Sequence, residues 1–328
     1  MLEDRYHRSI NYLRISVTDR CNMRCVYCMP PEGIPWQPHS AIMRYEEIVE
    51  VARVMAGEGL REIRLTGGEP LVRPGIAGLV RMLAALPGIE DIALTTNGVL
   101  LEKLAGELAE AGLRRVNVSL DTLKPERLAR ISRGGDWSRV WRGLEAAEAH
   151  GLTPVKINMV VLRGVNDDEI QDMARLTLTR PWQVRFIELM PTQNQVPWGS
   201  EFPPLEEAYI SLQEIRQRLE SLGLEAANSK VGNGPASEYR LRDGVGKIGF
   251  ISPVGDAFCN RCNRLRLTAD GKLRPCLFSD LEIPLLPALR TGEPILPLIR
   301  QAVELKPEGH TLHQNPILLG RCMAQIGG

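Results

Sequence analysis

The stretch Tyr12-Leu13-Arg14-Ile15-Ser16-Val17-Thr18-Asp19-Arg20-Cys21-Asn22-Met23-Arg24-Cys25-Val26-Tyr27-Cys28 decides how the chain is read. Its first six residues form a short run with β-branched members, the mark of a strand. The run gives way to a polar loop that holds three cysteines, separated by three and then two residues. A strand delivering reactive side chains to the loop at its C-terminal end is how α/β proteins build their sites.

Outward from that strand the same rhythm repeats as far as residue 190. Strands are expected at Tyr12–Val17, Glu62–Thr66, Asp91–Thr95, Arg115–Leu120, Pro154–Val161 and Gln183–Glu188. Between them, helical periodicity covers Tyr45–Gly57, Ile76–Leu86, Leu101–Ala111, Trp137–His150 and Asp168–Thr179. Alternation of this kind implies parallel strands joined by right-handed crossovers. Six units are too few for a complete eight-stranded barrel, and no Gly-x-Gly-x-x-Gly follows the first strand. The expected fold is therefore α/β, a partial (βα)6 TIM-type barrel, with an open flavodoxin-like sheet as the alternative.

Chemistry collects at one end of these strands. The cysteine loop follows the first, Gly67-Gly68-Glu69-Pro70 the second, Thr95-Thr96-Asn97-Gly98 the third, Ser119-Leu120-Asp121 the fourth and Glu188-Leu189-Met190-Pro191 the sixth. The strand interiors between these loops are expected to be apolar. The rhythm stops in the Pro-rich stretch Val196–Leu205, which divides a barrel over residues 1–195 from an irregular C-terminal region over 196–328. That region carries a helix near Leu212–Leu222, short strands near Tyr239–Leu241 and Lys247–Ile251, and a second cysteine group, Cys259-x-x-Cys262 with Cys276 after thirteen residues.

With 328 residues, 44% hydrophobic and 24% charged, the chain can bury a large core. Lys+Arg and Asp+Glu balance at 40 each, so no global field points to a nucleic acid or a membrane as partner. Met1–Ser9 has no apolar run of the signal-peptide kind, and no stretch approaches the roughly 18 apolar residues of a span. A cytoplasmic protein is expected. Six of the seven cysteines fall in two tight groups, which favours metal ligation over a disulfide framework.

Zinc wants four ligands, and the first loop offers three thiolates with no His or further Cys beside them. Three cysteines suit a [4Fe–4S] cluster with one iron open to another ligand, which is a catalytic arrangement. The second group also has three, and a structural zinc site there would need His310, His313 or Cys322, none at a suitable local spacing. Cys262-Asn263-Arg264-Leu265-Arg266-Leu267-Thr268 alternates; as a strand it would put Cys262, Arg264 and Arg266 on one face, and Arg forks suit phosphate oxygens. Cys322 fits neither pattern and reads as a small apolar residue.

The three-cysteine motif with Tyr27 before its last Cys, followed by Gly-Gly-Glu-Pro, resembles the radical S-adenosylmethionine (SAM) superfamily. The resemblance implies that Cys21, Cys25 and Cys28 hold a cluster whose open iron chelates SAM, which yields a 5'-deoxyadenosyl radical. Gly67 and Gly68 would admit the methionyl end where a Cβ would collide with it, and Glu69 would meet the SAM ammonium group.

Both cysteine groups together, with Leu13–Arg20, Arg64-Leu65-Thr66, Val155–Asn158 and the terminal Gly327-Gly328, resemble the GTP 3',8-cyclase family of molybdenum cofactor biosynthesis, a lyase family. That resemblance implies a second [4Fe–4S] cluster on Cys259, Cys262 and Cys276 that meets the guanine of GTP. It assigns GTP to Arg14, Arg64, Thr95, Lys156, Arg264, Leu265 and Arg266, and the SAM site to Tyr27, Gly67, Gly68, Glu69, Ser119 and Met190. Arg266, Gly327 and Gly328 would assist catalysis, the tail by entering the cavity.

The implied reaction abstracts hydrogen from C3' of the ribose and joins that carbon to C8 of guanine. A reduced flavodoxin or ferredoxin is the implied electron donor, cyclic pyranopterin monophosphate synthase the downstream partner, and monomer or homodimer the implied state. The competing readings are a peptide-modifying radical SAM enzyme and a non-catalytic zinc scaffold. No Gly-x4-Gly-Lys-Ser/Thr loop is present, which excludes a P-loop GTPase.

Overall fold

A computed structural model describes residues 1–190, 198–227, 236–253, 258–310 and 320–327. The expected boundary at 195/196, His313 and Gly328 lie outside the described residues. Six parallel strands run through the first part: β1 (Tyr12–Ser16), β2 (Glu62–Thr66), β3 (Asp91–Thr96), β4 (Arg115–Ser119), β5 (Lys156–Val161) and β6 (Gln183–Glu188). The crossovers carry α1 (Tyr45–Gly57), α2 (Ile76–Ala84), α3 (Leu101–Glu110), α4 (Pro125–Ser132), α5 (Trp137–Ala149) and α6 (Ile170–Thr179). Local chemistry sets several ends: Asp136 caps α5 by accepting from the N–H groups of Ser138 and Arg139 at 3.0 and 3.3 Å.

The later part adds α7 (Leu205–Ala208), α8 (Leu212–Glu220), β7 (Leu224–Ala226), β8 (Ser237–Leu241), β9 (Lys247–Ile251), β10 (Arg264–Leu267), β11 (Lys272–Arg274), β12 (Ile283–Pro284), α9 (Leu286–Thr291), α10 (Leu296–Glu304) and α11 (Met323–Ile326). Its strands do not form a separate sheet. β9 pairs in parallel with β6, and β10 pairs in parallel with β1. The order is β12-β11-β10-β1-β2-β3-β4-β5-β6-β9-β8-β7, so the central eight strands run parallel while antiparallel strands fence both edges. The sheet stays open, a partial barrel of the expected kind completed at its flanks by the C-terminal region.

The two faces of the sheet are unlike. Leu13, Ile15, Ile63, Leu65, Leu94, Val116, Val118, Ile157, Met159, Val184, Phe186 and Leu265 are buried among the surrounding apolar residues. Truncating one such residue to Ala costs about 2–5 kcal/mol, because the site collapses only partly. The alternate positions carry Arg14, Arg64, Thr95, Asn117, Lys156, Asn158 and Arg185. Against expectation, then, the lumen is polar. Its deep end is closed by ion pairs, Arg115 with Asp91 at 2.5 Å and with Glu62 at 3.6 Å, and Lys247 with Glu238 at 3.0 Å.

Candidate active site

The cysteine loop follows β1 and is held on two sides. Gly68 N–H donates to Thr18 O and Glu69 N–H to Arg20 O, both at 2.8 Å, so the loop after β2 is laced to the loop after β1. On the other flank, Arg24 and Val26 donate to Ser132 O and Ile131 O at 2.9 Å, at the end of α4. A Cβ on Gly68 would stand 2.3 Å from Arg20 O, and one on Gly67 2.6 Å from Thr18 O. The two glycines therefore make room for the cysteine loop's own backbone.

Glu69 is the keystone of this end. Its buried carboxylate accepts from Leu71 N–H at 3.0 Å and Thr96 Oγ1 at 2.7 Å on one oxygen, and from Asn97 N–H at 2.6 Å on the other. Burial pushes its pKa up to about 7, with the three donors pulling the other way. Three of its roughly four acceptor sites thus go to joining the loops after β2 and β3, which leaves one on Oε2 for the expected ammonium. Tyr27 donates its hydroxyl to Asp121 at 2.6 Å, and Val160 N–H occupies the other Asp121 oxygen at 2.9 Å. Burial raises the Cys21 thiol to about 11 and pushes Cys25 and Cys28 up as well.

One continuous cavity runs from this loop to the second cysteine group. It is lined by all six grouped cysteines and, between them, by Arg14, Arg64, Arg185, Arg264 and Arg266. Burial, then the neighbouring cations, lowers Arg185 to about 9 and Arg266 to about 10. Arg14 is pushed well down by burial and by Arg266. Buried Arg64 Nη1, Arg185 Nε, Thr95 Oγ1, Asn117 Oδ1 and Asn158 Oδ1 have no hydrogen-bond partner among the described residues. A group of such atoms around one space is a binding site in waiting, since each costs about 1–3 kcal/mol unpaired.

At the far end, Cys259 and Cys262 flank a single helical turn that leads into β10, and Cys276 follows β11. Burial acts to raise the Cys262 thiol, but Lys306 and Arg264 outweigh it and the net shift is downward. His310 donates its N–H to Cys259, and its ring meets Phe278 at 4.8 Å. Among the described residues, no three His, Cys, Asp or Glu side chains converge tightly enough for a single metal ion.

Residues 15–177 match the radical SAM superfamily, and residues 182–312 match Molybdenum Cofactor Synthesis C. The chain is 52% identical over 331 residues to the GTP 3',8-cyclase of Moorella thermoacetica, with both chains covered in full. It is 51% identical over 336 residues to that of Pelotomaculum thermopropionicum, again with full coverage of both. The chain belongs to the GTP 3',8-cyclase family. Membership of the radical SAM superfamily brings an iron–sulfur cluster and SAM with it. Among solved structures, Streptococcus suis SuiB bound to S-adenosylmethionine matches with a TM-score of 0.60 over 97% of this chain and 78% of that one. At 14% identity that likeness is one of fold alone.

Among the described residues of this member of the family, those picked from sequence converge, with two exceptions. Tyr27, Gly67, Gly68, Glu69, Ser119 and Met190 line the end of the cavity that holds the first triad, and Arg14, Arg64, Thr95, Arg264 and Arg266 line the rest. Lys156 is buried deeper, beside Asn117 in the sheet register. Leu265 faces the other way: alternation along β10 sends its side chain into the apolar core, so any ligand contact falls to its main chain. Gly327 packs against Ser16 and Thr66, and its carbonyl accepts from Arg266. Cys322 stands near Cys28 and is, after burial, among the causes of that thiol's upward shift.

The sequence reading missed Asn117, Asn158, Arg185 and Lys306. Strand alternation carried the signal for the first three, because Asn117 and Asn158 stand two residues from, or opposite, residues already chosen, and Arg185 stands opposite Asn158. No signal in the sequence marks Lys306.

Proposed function

We propose that the chain catalyses the radical SAM-dependent cyclisation of GTP to (8S)-3',8-cyclo-7,8-dihydroguanosine 5'-triphosphate, the first step of molybdenum cofactor biosynthesis. The observation that carries the reading is the cluster of buried guanidiniums between the two cysteine triads. Arg14, Arg64, Arg185 and Arg266 repel one another in a low-dielectric space, and a triphosphate relieves that repulsion while filling the open donors of Arg64 and Arg185.

Cys21, Cys25 and Cys28 hold one [4Fe–4S] cluster in this reading, and Cys259, Cys262 and Cys276 hold a second. When bound, the first cluster and SAM supply a deoxyadenosyl radical. The protein's part is positioning. Arg14, Arg64, Thr95, Lys156, Arg264 and Arg266 fix the nucleotide from the phosphates to the base, which keeps C3' facing the SAM site. The Tyr27–Asp121 pair orders the wall next to SAM, and Ser119 and Met190 complete it. Gly327 and Gly328 bring the tail's backbone to the reacting nucleotide. A reduced flavodoxin or ferredoxin serves as electron donor, cyclic pyranopterin monophosphate synthase takes the product on, and the enzyme works as a monomer or homodimer.

The test is anaerobic reconstitution followed by reaction with SAM, dithionite and GTP deuterated at C3'. Deuterium is expected in 5'-deoxyadenosine. SAM cleavage without label transfer would remove the cyclase reading and leave the superfamily assignment standing. Cys276→Ala is expected to abolish GTP turnover while the first cluster still assembles.

A further inference from the structure

Behind the second cysteine triad lies a buried cation with no part in the scheme above. Lys306 follows α10 and is 2% exposed. Its ammonium donates to the main-chain carbonyl of Arg264 at 2.8 Å and to that of Pro275 at 2.7 Å. It also makes a hydrogen bond to the Cys262 thiol. An ammonium has three N–H bonds. Here they reach three pieces of one site: the strand entered two residues after Cys262, the residue before Cys276, and Cys262 itself.

The remaining piece, Cys259, is held from the same side. Arg8 donates to Cys259 O at 2.6 Å, and its other bonds go to Pro307 O at 2.6 Å and Glu308 O at 2.8 Å. Asp4 fixes the Arg8 guanidinium at 2.7 Å. Lys306, and Arg8 bonded to the main chain of residues 307 and 308, thus reach all three cysteine-bearing segments between them. The first triad has no such arrangement among the described residues. The charged neighbours that act on Cys21, Cys25 and Cys28 are Glu69, Asp121 and other thiols.

We propose that Lys306 is a positioning residue for the second cluster, holding the Cys262 and Cys276 segments in register and raising the cluster's reduction potential through its charge. The proposal rests on the two-cluster reading. A positive charge within hydrogen-bond reach of a thiolate ligand favours the more negative, reduced cluster, and hydrogen bonds to the sulfurs are among the levers that set such potentials. The structure thereby gives the two triads opposite electrostatic settings within one cavity.

The test is an EPR-monitored redox titration of the anaerobically reconstituted full chain, as wild type, Lys306→Met, Lys306→Gln and Lys306→Arg. Gln keeps N–H donors without the charge and covers the case in which Met does not fold. In the Met and Gln variants the reduced fraction of the second cluster at fixed potential is expected to fall about tenfold, or about 59 mV for one electron. The first cluster's couple stays in place as an internal control, and the Arg variant titrates like wild type. Loss of iron from the second cluster alone in Met and Gln, with Arg keeping both, supports the proposal equally. Both clusters retained with an unshifted couple overturns it, as does an Arg variant that behaves like Met. Iron content separates the two readings first: a wild-type chain that assembles a single cluster overturns the two-cluster reading and this proposal with it.

Discussion

The guanidinium of Arg266 donates to the main-chain carbonyl of Gly327 at 2.6 Å, joining a cation on β10 to the C-terminal segment. Gly327 has a φ of +70°, and a Cβ there would stand 2.6 Å from Thr66 Cγ2. Gly327→Ala meets both a left-handed backbone and a clash, so the tail must shift. A displacement near 1 Å at a reacting centre costs about 100-fold. GTP turnover is expected to fall by about that factor, with SAM cleavage in the absence of GTP little changed. Quantifying 5'-deoxyadenosine and cyclised nucleotide in the same reaction checks this, and unimpaired coupled turnover would sink it.

Gly68→Ala should damage the cysteine loop before it damages SAM binding as such. Its Cβ would sit 2.3 Å from the Arg20 carbonyl oxygen, the residue next to Cys21. Iron and sulfide content after reconstitution is expected to drop to about that of the second cluster alone, since the strain falls on one triad only. Full iron loading in this variant would contradict the account of Gly68.

Glu69→Gln tests whether that carboxylate is architectural. Replacing one oxygen by NH2 sets a donor against Asn97 N–H, or against Leu71 N–H and Thr96 Oγ1. An unsatisfied buried group costs about 1–3 kcal/mol, which lowers the melting temperature by several degrees. The expectation holds for protein free of iron and SAM, and thermal unfolding of that form measures it. An unchanged midpoint would return Glu69 to a role in SAM binding alone.

Lys156 gives the site a pH signature. Burial, then Arg185, Arg115 and Arg64, lowers its pKa from 10.5 to about 7. A bound polyanion favours the protonated form, so nucleotide binding takes up protons above pH 7 and weakens as pH rises toward the ordinary lysine range. Stability of the nucleotide-free chain runs the other way. Between about pH 7 and 10.5 the unfolded state binds more protons, so this residue's contribution makes stability rise with pH. Calorimetry of GTP binding at pH 8 in HEPES and in Tris separates the cases, and net proton release would refute the prediction.

The parallel strands and the large helices were legible because period and turn chemistry are local. Glu62–Thr66 and Gln183–Glu188 are found where the pattern put them. The helix at Pro125–Ser132 escaped because it is short and buries only Leu128, Ile131 and Ser132, although Pro125 opens it. It is also the element that pins Arg24 and Val26 of the cysteine loop. What no local rule could show was long-range pairing: that β9 and β10 flank the first six strands, and that Lys306 reaches across to Arg264 and Pro275. The polar lumen was readable in principle, since Arg14, Arg64, Asn117 and Lys156 alternate with Leu13, Ile15, Leu65 and Ile157. Treating buried strands as apolar throughout hid it.

The pairing of β10 with β1 places Arg266 directly opposite Arg14. Adjacent strands lie about 4.8 Å apart. The strand that leaves the second triad and the strand that leads to the first are therefore neighbouring staves, with no hinge between them. In an enzyme built from two lobes, the gap between two metal sites is set each time the lobes close. Here the backbone hydrogen bonds act as the ruler, and the distance a substrate must span is fixed once, when the chain folds.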